Sequence, residues 1–188
     1  MNDRPLFFAP IPKTAGSTML ALLSRQYPES LTCRYNASDI NGSRKRLRLM
    51  DAERRAELRL VMGHCVLADA DLFGTSAKYI TFVREPFEQF LSSYYYIRRA
   101  SWNTHYERVR AIPDLRGFLE YSVQVGLDNL QTRHLSGIFD VMRTSEAQDR
   151  PTATVDAEVS SHAHQWLGRM DHVGLTEEFE SSILMLRS

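Results

Sequence analysis

Disulfide chemistry has little to work with in this sequence: only two of its 188 residues are cysteine, Cys33 and Cys65. That excludes a disulfide-built scaffold and fits a reducing, cytoplasmic setting. Charge of one sign is not in excess either, since 23 basic residues meet 23 acidic ones. Nothing global therefore draws the chain to nucleic acid or to an anionic membrane surface, and any anion site must be local. Long apolar runs are missing as well. None approaches the roughly 18 residues that span a bilayer, and the N-terminus has no charged stretch followed by a signal-type apolar core. The expectation is a soluble chain with no membrane span, free of repeats and low-complexity tracts. Its length suits one domain, 1–188, rather than two; oligomeric state is left open.

What is present is an alternation of short apolar runs and amphipathic stretches. Leu6 to Ile11, Leu58 to Met62, Tyr79 to Val83 and His172 to Leu175 read as short buried strands. Between and after them, helical spacing of apolar residues predicts helices over Thr18–Tyr27, Phe87–Arg98 behind Pro86, Leu115–Val125 ending at Gly126, and Val155–Met170. Asp128 is the expected N-cap of a helix running to Gly137, and Thr176 that of a last helix with Glu177 and Glu178 in its first turn. Met142 to Thr154, polar and holding Pro151, reads as an exposed loop. Ser43 to Arg59 is dominated by arginine and lysine with Asp51, Glu53 and Glu57 at helical offsets. It reads as a solvated helix or as a surface for an anionic acceptor. The whole pattern predicts an α/β three-layer domain, a central parallel sheet flanked by helices, with ligands at the carboxyl ends of the strands.

Directly after the first strand stands Pro12-Lys13-Thr14-Ala15-Gly16-Ser17-Thr18, opening a helix. Backbone N–H groups and the helix dipole converge on an anion at such a place. Gly16 permits close approach, Ser17 and Thr18 add hydroxyls, and Lys13 brings a full charge. Taken alone the stretch could be an ordinary turn with a surface lysine. Its lysine precedes the glycine, the reverse of a Walker loop, which disfavours a nucleotide triphosphatase or a magnesium-dependent phosphotransferase.

Ile11-Pro12-Lys13-Thr14-Ala15-Gly16-Ser17-Thr18 resembles the 5′-phosphosulfate loop of sulfotransferases that use 3′-phosphoadenosine 5′-phosphosulfate (PAPS), in particular the group containing heparan sulfate 2-O-sulfotransferase and related carbohydrate enzymes. A second segment, Val83-Arg84-Glu85-Pro86 through Ser92 to Tyr96, resembles that family's 3′-phosphate segment, an arginine at a strand end with a serine eight residues later. The resemblance implies a P-loop-like fold and PAPS as co-substrate, with no metal. It implies Lys13, Thr14, Ala15, Gly16, Ser17 and Thr18 around the 5′ group, and Arg84 and Ser92 at the 3′-phosphate. A guanidinium fork beside a helix-borne hydroxyl suits a phosphate; the plain alternative for Arg84 is an ion pair with Glu88. Two weaker echoes, Asp128 to Gly137 and Val173 to Phe179, assign no chemistry. Two features depart from the family's pattern. Pro10 stands where a histidine commonly precedes the Ile-Pro-Lys triplet, and the chain ends soon after its last helix, where relatives continue into a segment covering the nucleotide. Cofactor closure is the part of the pattern left open.

Sulfuryl transfer needs an in-line acceptor, a positive partner for the leaving group and a base for the hydroxyl proton. Lys13 is the expected partner. Met62-Gly63-His64-Cys65 resembles the step carrying the catalytic histidine in the 2-O-sulfotransferase group, which implies His64 as base; Asp69 and Asp71 are the reserve, and a histidine satisfied by a backbone carbonyl is the structural alternative. His105, His134, His162, His164 and His172 read as structural or surface residues, and Cys65 as a small buried hydrophobe. Trp102, Tyr106 and Arg108 could hold a sugar or serve the core. The expected acceptor is a hydroxyl, by resemblance a glycan; a nucleotide-binding chain of the same fold without catalysis is the alternative.

Overall fold

The computed structural model describes residues 4–142 and 154–186. Five strands form one all-parallel sheet: β1 (Leu6–Phe8), β2 (Thr32–Arg34), β3 (Leu60–Met62), β4 (Lys78–Val83) and β5 (His172–Leu175). Their spatial order is β2-β3-β1-β4-β5. The period-two rule sorts their side chains onto two faces. Phe7, Val61 and Tyr79, which stand in register, join one buried cluster with Leu47, Val66 and Leu67. Phe8, Met62 and Ile80 point the other way, into a cluster with Met19, Leu23 and Phe82. Strands buried on both faces explain why the middle runs are apolar without alternation. The α/β reading of the sequence thus holds, with helices on both sides of the sheet.

The helices are α1 (Gly16–Gln26), α2 (Ile40–Leu49), α3 (Ala52–Glu57), α4 (Pro86–Ile97), α5 (Tyr106–Ala111), α6 (Leu115–Val125), α7 (Leu130–Leu135), α8 (Phe139–Met142), α9 (Ala157–Leu167) and α10 (Phe179–Leu186). Carboxylates start many of them. Asp39, Asp51, Glu85, Asp114 and Asp156 each accept a hydrogen bond from the backbone N–H three residues on, satisfying a donor that the helix cannot. Asp51 also explains why 43–59 is two helices rather than one: it caps α3 where Met50 has turned extended.

Three sequence expectations change in detail. Asn129, in a left-handed conformation, takes the N-cap position of α7, while Asp128 binds the buried Arg133 at 2.6 Å. The last helix begins at Phe179, because the Thr176 hydroxyl is drawn back to Val83 O at 2.9 Å. Edge strand β2 has no apolar run to announce it. The loop expected from Met142 to Thr154 lies, except for its end residues, outside the described residues. No helix among the described residues is long and apolar enough to cross a membrane.

Strand order also sets where a ligand can sit. From β1 the chain leaves toward β2 on one side, and from β4 toward β5 on the other. β1 and β4 are neighbours, so their carboxyl ends flank the switch point where α/β sheets open a crevice.

A buried ionic knot fixes the wall beside it. Asp69, fully buried within the 3₁₀ segment Val66–Ser76, accepts from Tyr35 Oη at 2.5 Å, Arg44 Nε at 2.8 Å and Arg48 Nε at 2.5 Å. Two inward-turned arginines of the basic stretch are thereby consumed in packing α2 against that segment. The partners hold the Asp69 carboxyl below its usual range although burial alone would raise it. With its oxygens so occupied, Asp69 is structural and not the reserve base. Replacing it with alanine leaves the buried Tyr35 hydroxyl without its acceptor and the partly exposed Arg44 and Arg48 without their counter-ion; Asp69→Ala should lose about 1–3 kcal/mol of stability, measured by urea unfolding.

Candidate functional site

The loop between β1 and α1 is built under backbone strain. Lys13 and Ala15 both adopt left-handed backbone angles, φ 68° and 59°, a region costing roughly 1–2 kcal/mol per non-glycine residue. Alternating conformations of this kind turn successive N–H groups to one side and make an anion-binding hollow. Buried Thr14 holds the turn by donating its hydroxyl to Ile11 O at 3.0 Å. Thr18 N and Met19 N turn back onto Ala15 O. The N–H groups that open α1 have no carbonyl within the helix to bind, and the Ser17 and Thr18 side chains are exposed beside them. Gly16 is needed here for packing as well, since a Cβ would stand 3.0 Å from Pro10 Cβ.

Helix α4 is the loop's second wall. Gln89 donates its side-chain amide to Pro12 O at 2.9 Å, and the Lys13 ammonium lies 4.1 Å from the Tyr96 ring centroid. Ser92 is three residues after Gln89 and four before Tyr96, so helical spacing places it on the same face, between these two contacts. Its hydroxyl is half-buried and has no partner among the described residues.

Arg84 sits at the tip of β4, next to β1. The amide of Gln131 brackets its peptide group, accepting from Arg84 N at 2.9 Å and donating to Arg84 O at 2.8 Å. Its guanidinium is three-quarters covered and lies between two exposed carboxylates, 3.4 Å from Glu88 and 4.0 Å from Glu177. Both contacts are long and open to water, the kind a phosphate displaces. Burial first, then Arg99 and Arg84, push the Lys13 pKa down. Arg84 and Arg99 thus lie close enough to the Lys13 ammonium to bias it electrostatically.

On the other side of the loop, beyond β3, stands His64. Its Nδ1 lies 2.9 Å from Pro10 O. A carbonyl can only accept, so Nδ1 carries the proton and Nε2 is left as a free base. Burial outweighs that hydrogen bond and lowers the His64 pKa, keeping the ring neutral at pH 7. Gly63 makes the placement possible: its φ is 128°, and a Cβ would stand 2.8 Å from that of Tyr35.

His64 lines a cleft of about 340 Å³ with Pro12, Asp39, Asn103, His134 and Phe139. His134 from α7, 6% exposed, packs edge-on against the His64 ring with centroids 5.5 Å apart. Burial foremost, then the charges that His64 and Arg133 can carry, lowers its pKa to about 3.

The structure therefore gathers Lys13 to Thr18, Arg84 and Ser92 around one strand-end region, and sets His64 across the loop from them. The sequence reading missed Gln89, Tyr96, Arg99, Gln131 and His134. The first two were legible as residues sharing a helical face with Ser92, and His134 lay in a motif that offered no chemistry by itself. Asp71 is exposed and paired with Arg48 at 3.3 Å. Cys65 is buried, and both cysteines are free thiols. Among the described residues no group of three or more His, Cys, Asp or Glu gathers to hold a metal.

Neutral His134 ties stability to pH. Because its pKa falls from 6.5 to about 3 on folding, the unfolded chain binds a proton first as pH drops. Stability is whole above pH 6.5 and declines toward pH 3. Urea midpoints should show this slope, and His134→Gln should make it shallower whatever its effect at pH 7.

No protein-family model, curated protein or solved structure matches this chain, so the chemistry of the site rests on its own geometry.

Proposed function

We propose that the chain is a sulfotransferase that moves a sulfuryl group from PAPS to a hydroxyl of an acceptor held in the cleft beside His64. The observation that carries this reading is the arrangement at three adjacent strand tips. A strained lysine loop and an arginine flank the switch point, and a neutral histidine with a free Nε2 stands on the loop's other side.

Lys13 and the N–H groups opening α1 would hold the 5′-phosphosulfate, with Ser17 and Thr18 adding hydroxyls. Arg84 and Ser92 would take the 3′-phosphate; Arg84 exchanges its weak carboxylate contacts for a doubly charged partner. The acceptor oxygen attacks sulfur as His64 Nε2 removes its proton. The new O–S bond forms while the S–O bond to the 5′-phosphate breaks, and its electron pair leaves with 3′,5′-diphosphoadenosine. Lys13 neutralises the charge that develops on that oxygen, and the charges of Arg84 and Arg99 favour an anionic leaving group as well. Glu88 and Glu177, at this strand end, are turned to Arg84, which leaves them poorly placed to hold a magnesium ion for a phosphotransferase.

Calorimetry tests the donor half. 3′,5′-Diphosphoadenosine should bind at least about tenfold more tightly than adenosine 5′-phosphate, a difference of about 1.4 kcal/mol, and Arg84→Ala should bring the two close together. Equal affinities for the unaltered chain would remove the 3′-phosphate site.

Kinetics test the base. His64→Ala should lower kcat by about 10²–10⁴ while diphosphoadenosine affinity stays nearly unchanged. Since the neutral ring is the active form and its pKa lies below 6.5, kcat/KM should be flat at neutral pH and fall only as pH drops below that value. A rate untouched by the substitution assigns the proton to another group.

A further inference from the structure

Resting on the reading above, we infer that the acceptor is a small uncharged polyol, a single neutral sugar in size and polarity, and not a sulfated or carboxylated glycan. Formal charge is distributed unevenly across the loop. Lys13, Arg84 and Arg99 all lie on the donor side. On the acceptor side, Asp39 is the only formally charged side chain among the described residues lining the cleft. Its Oδ1 caps α2 through Gly42 N at 2.8 Å, and its Oδ2 lies 3.7 Å from Arg46 at the exposed rim.

The arginine behind the Phe139 wall of the cleft is not offered to a ligand. Arg44 stacks behind Phe139, its guanidinium carbon 3.7 Å from the ring centroid, and its fork is closed on Asp69. Burial, partial for His64 and nearly complete for His134, keeps both imidazoles neutral at pH 7. An acceptor carrying a carboxylate or sulfate would therefore enter without a compensating cation, past Asp39, and beside a donor that itself brings several negative charges. Like-charge placement of that kind rejects a ligand strongly.

The remaining lining suits hydroxyls. Ser38 and Asn41 come from the turn and first turn of α2, and Asn103 faces them from the turn after α4. Asn103 Oδ1 is already fixed by His105 N at 2.9 Å, leaving the amide N–H groups to donate. A hydroxyl can accept from such an amide and donate to the next group, which a carboxylate cannot. Phe139 and Met142 supply apolar surface for the C–H face of a ring. A volume of about 340 Å³ is at the small end for ligand sites and takes one sugar rather than several.

The test uses the whole chain, labelled PAPS and a matched pair of acceptors, methyl glucoside and methyl glucuronide, which differ only in a hydroxymethyl against a carboxylate. Transfer to the glucoside should show a kcat/KM at least about tenfold higher. Ser38→Lys, which adds a cation on an exposed turn, should raise the glucuronide toward equality. Equal or better use of the glucuronide by the unaltered chain overturns the inference, as does transfer to neither sugar when diphosphoadenosine binds normally; both leave the donor site standing. If diphosphoadenosine fails to bind, the sulfotransferase reading falls instead. The cleft is then judged by NMR line broadening of the two glycosides, where preference for the glucoside supports the inference and no preference, or the reverse, overturns it.

Discussion

The position of β1 between β3 and β4 is the constraint on which the rest of the site depends. A strand of three residues contributes little surface of its own, yet its neighbours bring the tips of β3 and β4 to either side of the loop that follows it. The loop is then held from both flanks by its carbonyls, Pro10 O toward His64 and Pro12 O toward Gln89. Basic and neutral chemistry are separated by one turn of chain. Were the order of the central strands different, the loop could not be held between His64 and Gln89.

Electrostatics follows from that placement. On one side, burial first and then the charges of Arg99 and Arg84 lower the proton affinity of Lys13; such a site is unfavourable for a cation until an anion arrives, and it marks a place where one is expected. On the other side, two imidazoles pack against each other and stay uncharged. Meanwhile the arginines of α2, which by number alone would look like an anion surface, turn inward to a single carboxylate or pair along the helix. Counting charges alone would point to α2, whose arginines are already partnered.

How much of this could be read in the sequence differs from residue to residue. Phe7, Phe8, Val61 and Ile80 announce strands because burial on both faces needs continuous apolar runs. Pro86 marks a helix start because its ring fixes φ and lacks an N–H, and Gly126 a helix end because it takes the left-handed angle without a Cβ penalty. Lys13 and Gly16 are legible because the spacing itself makes a turn before a helix. β2 is not, since an edge strand of three residues takes its geometry from the β3 backbone rather than from its side chains. Gln131 and His134 escape for a related reason: their roles come from tertiary proximity to Arg84 and His64, residues far away in the chain. Asp69 misleads in the other direction, for a carboxylate close to His64 in sequence looks reactive until its three partners are seen.

Alanine, not glycine, occupies the second left-handed position of the loop, and lysine the first. A glycine would let that stretch wander among many shapes in the unliganded protein and lose this freedom at each encounter. With side chains present, the unfavourable angles are imposed once, when the polypeptide folds, and are drawn from its overall stability. An anion entering the hollow would thereby be spared an ordering penalty, since the loop already holds one shape.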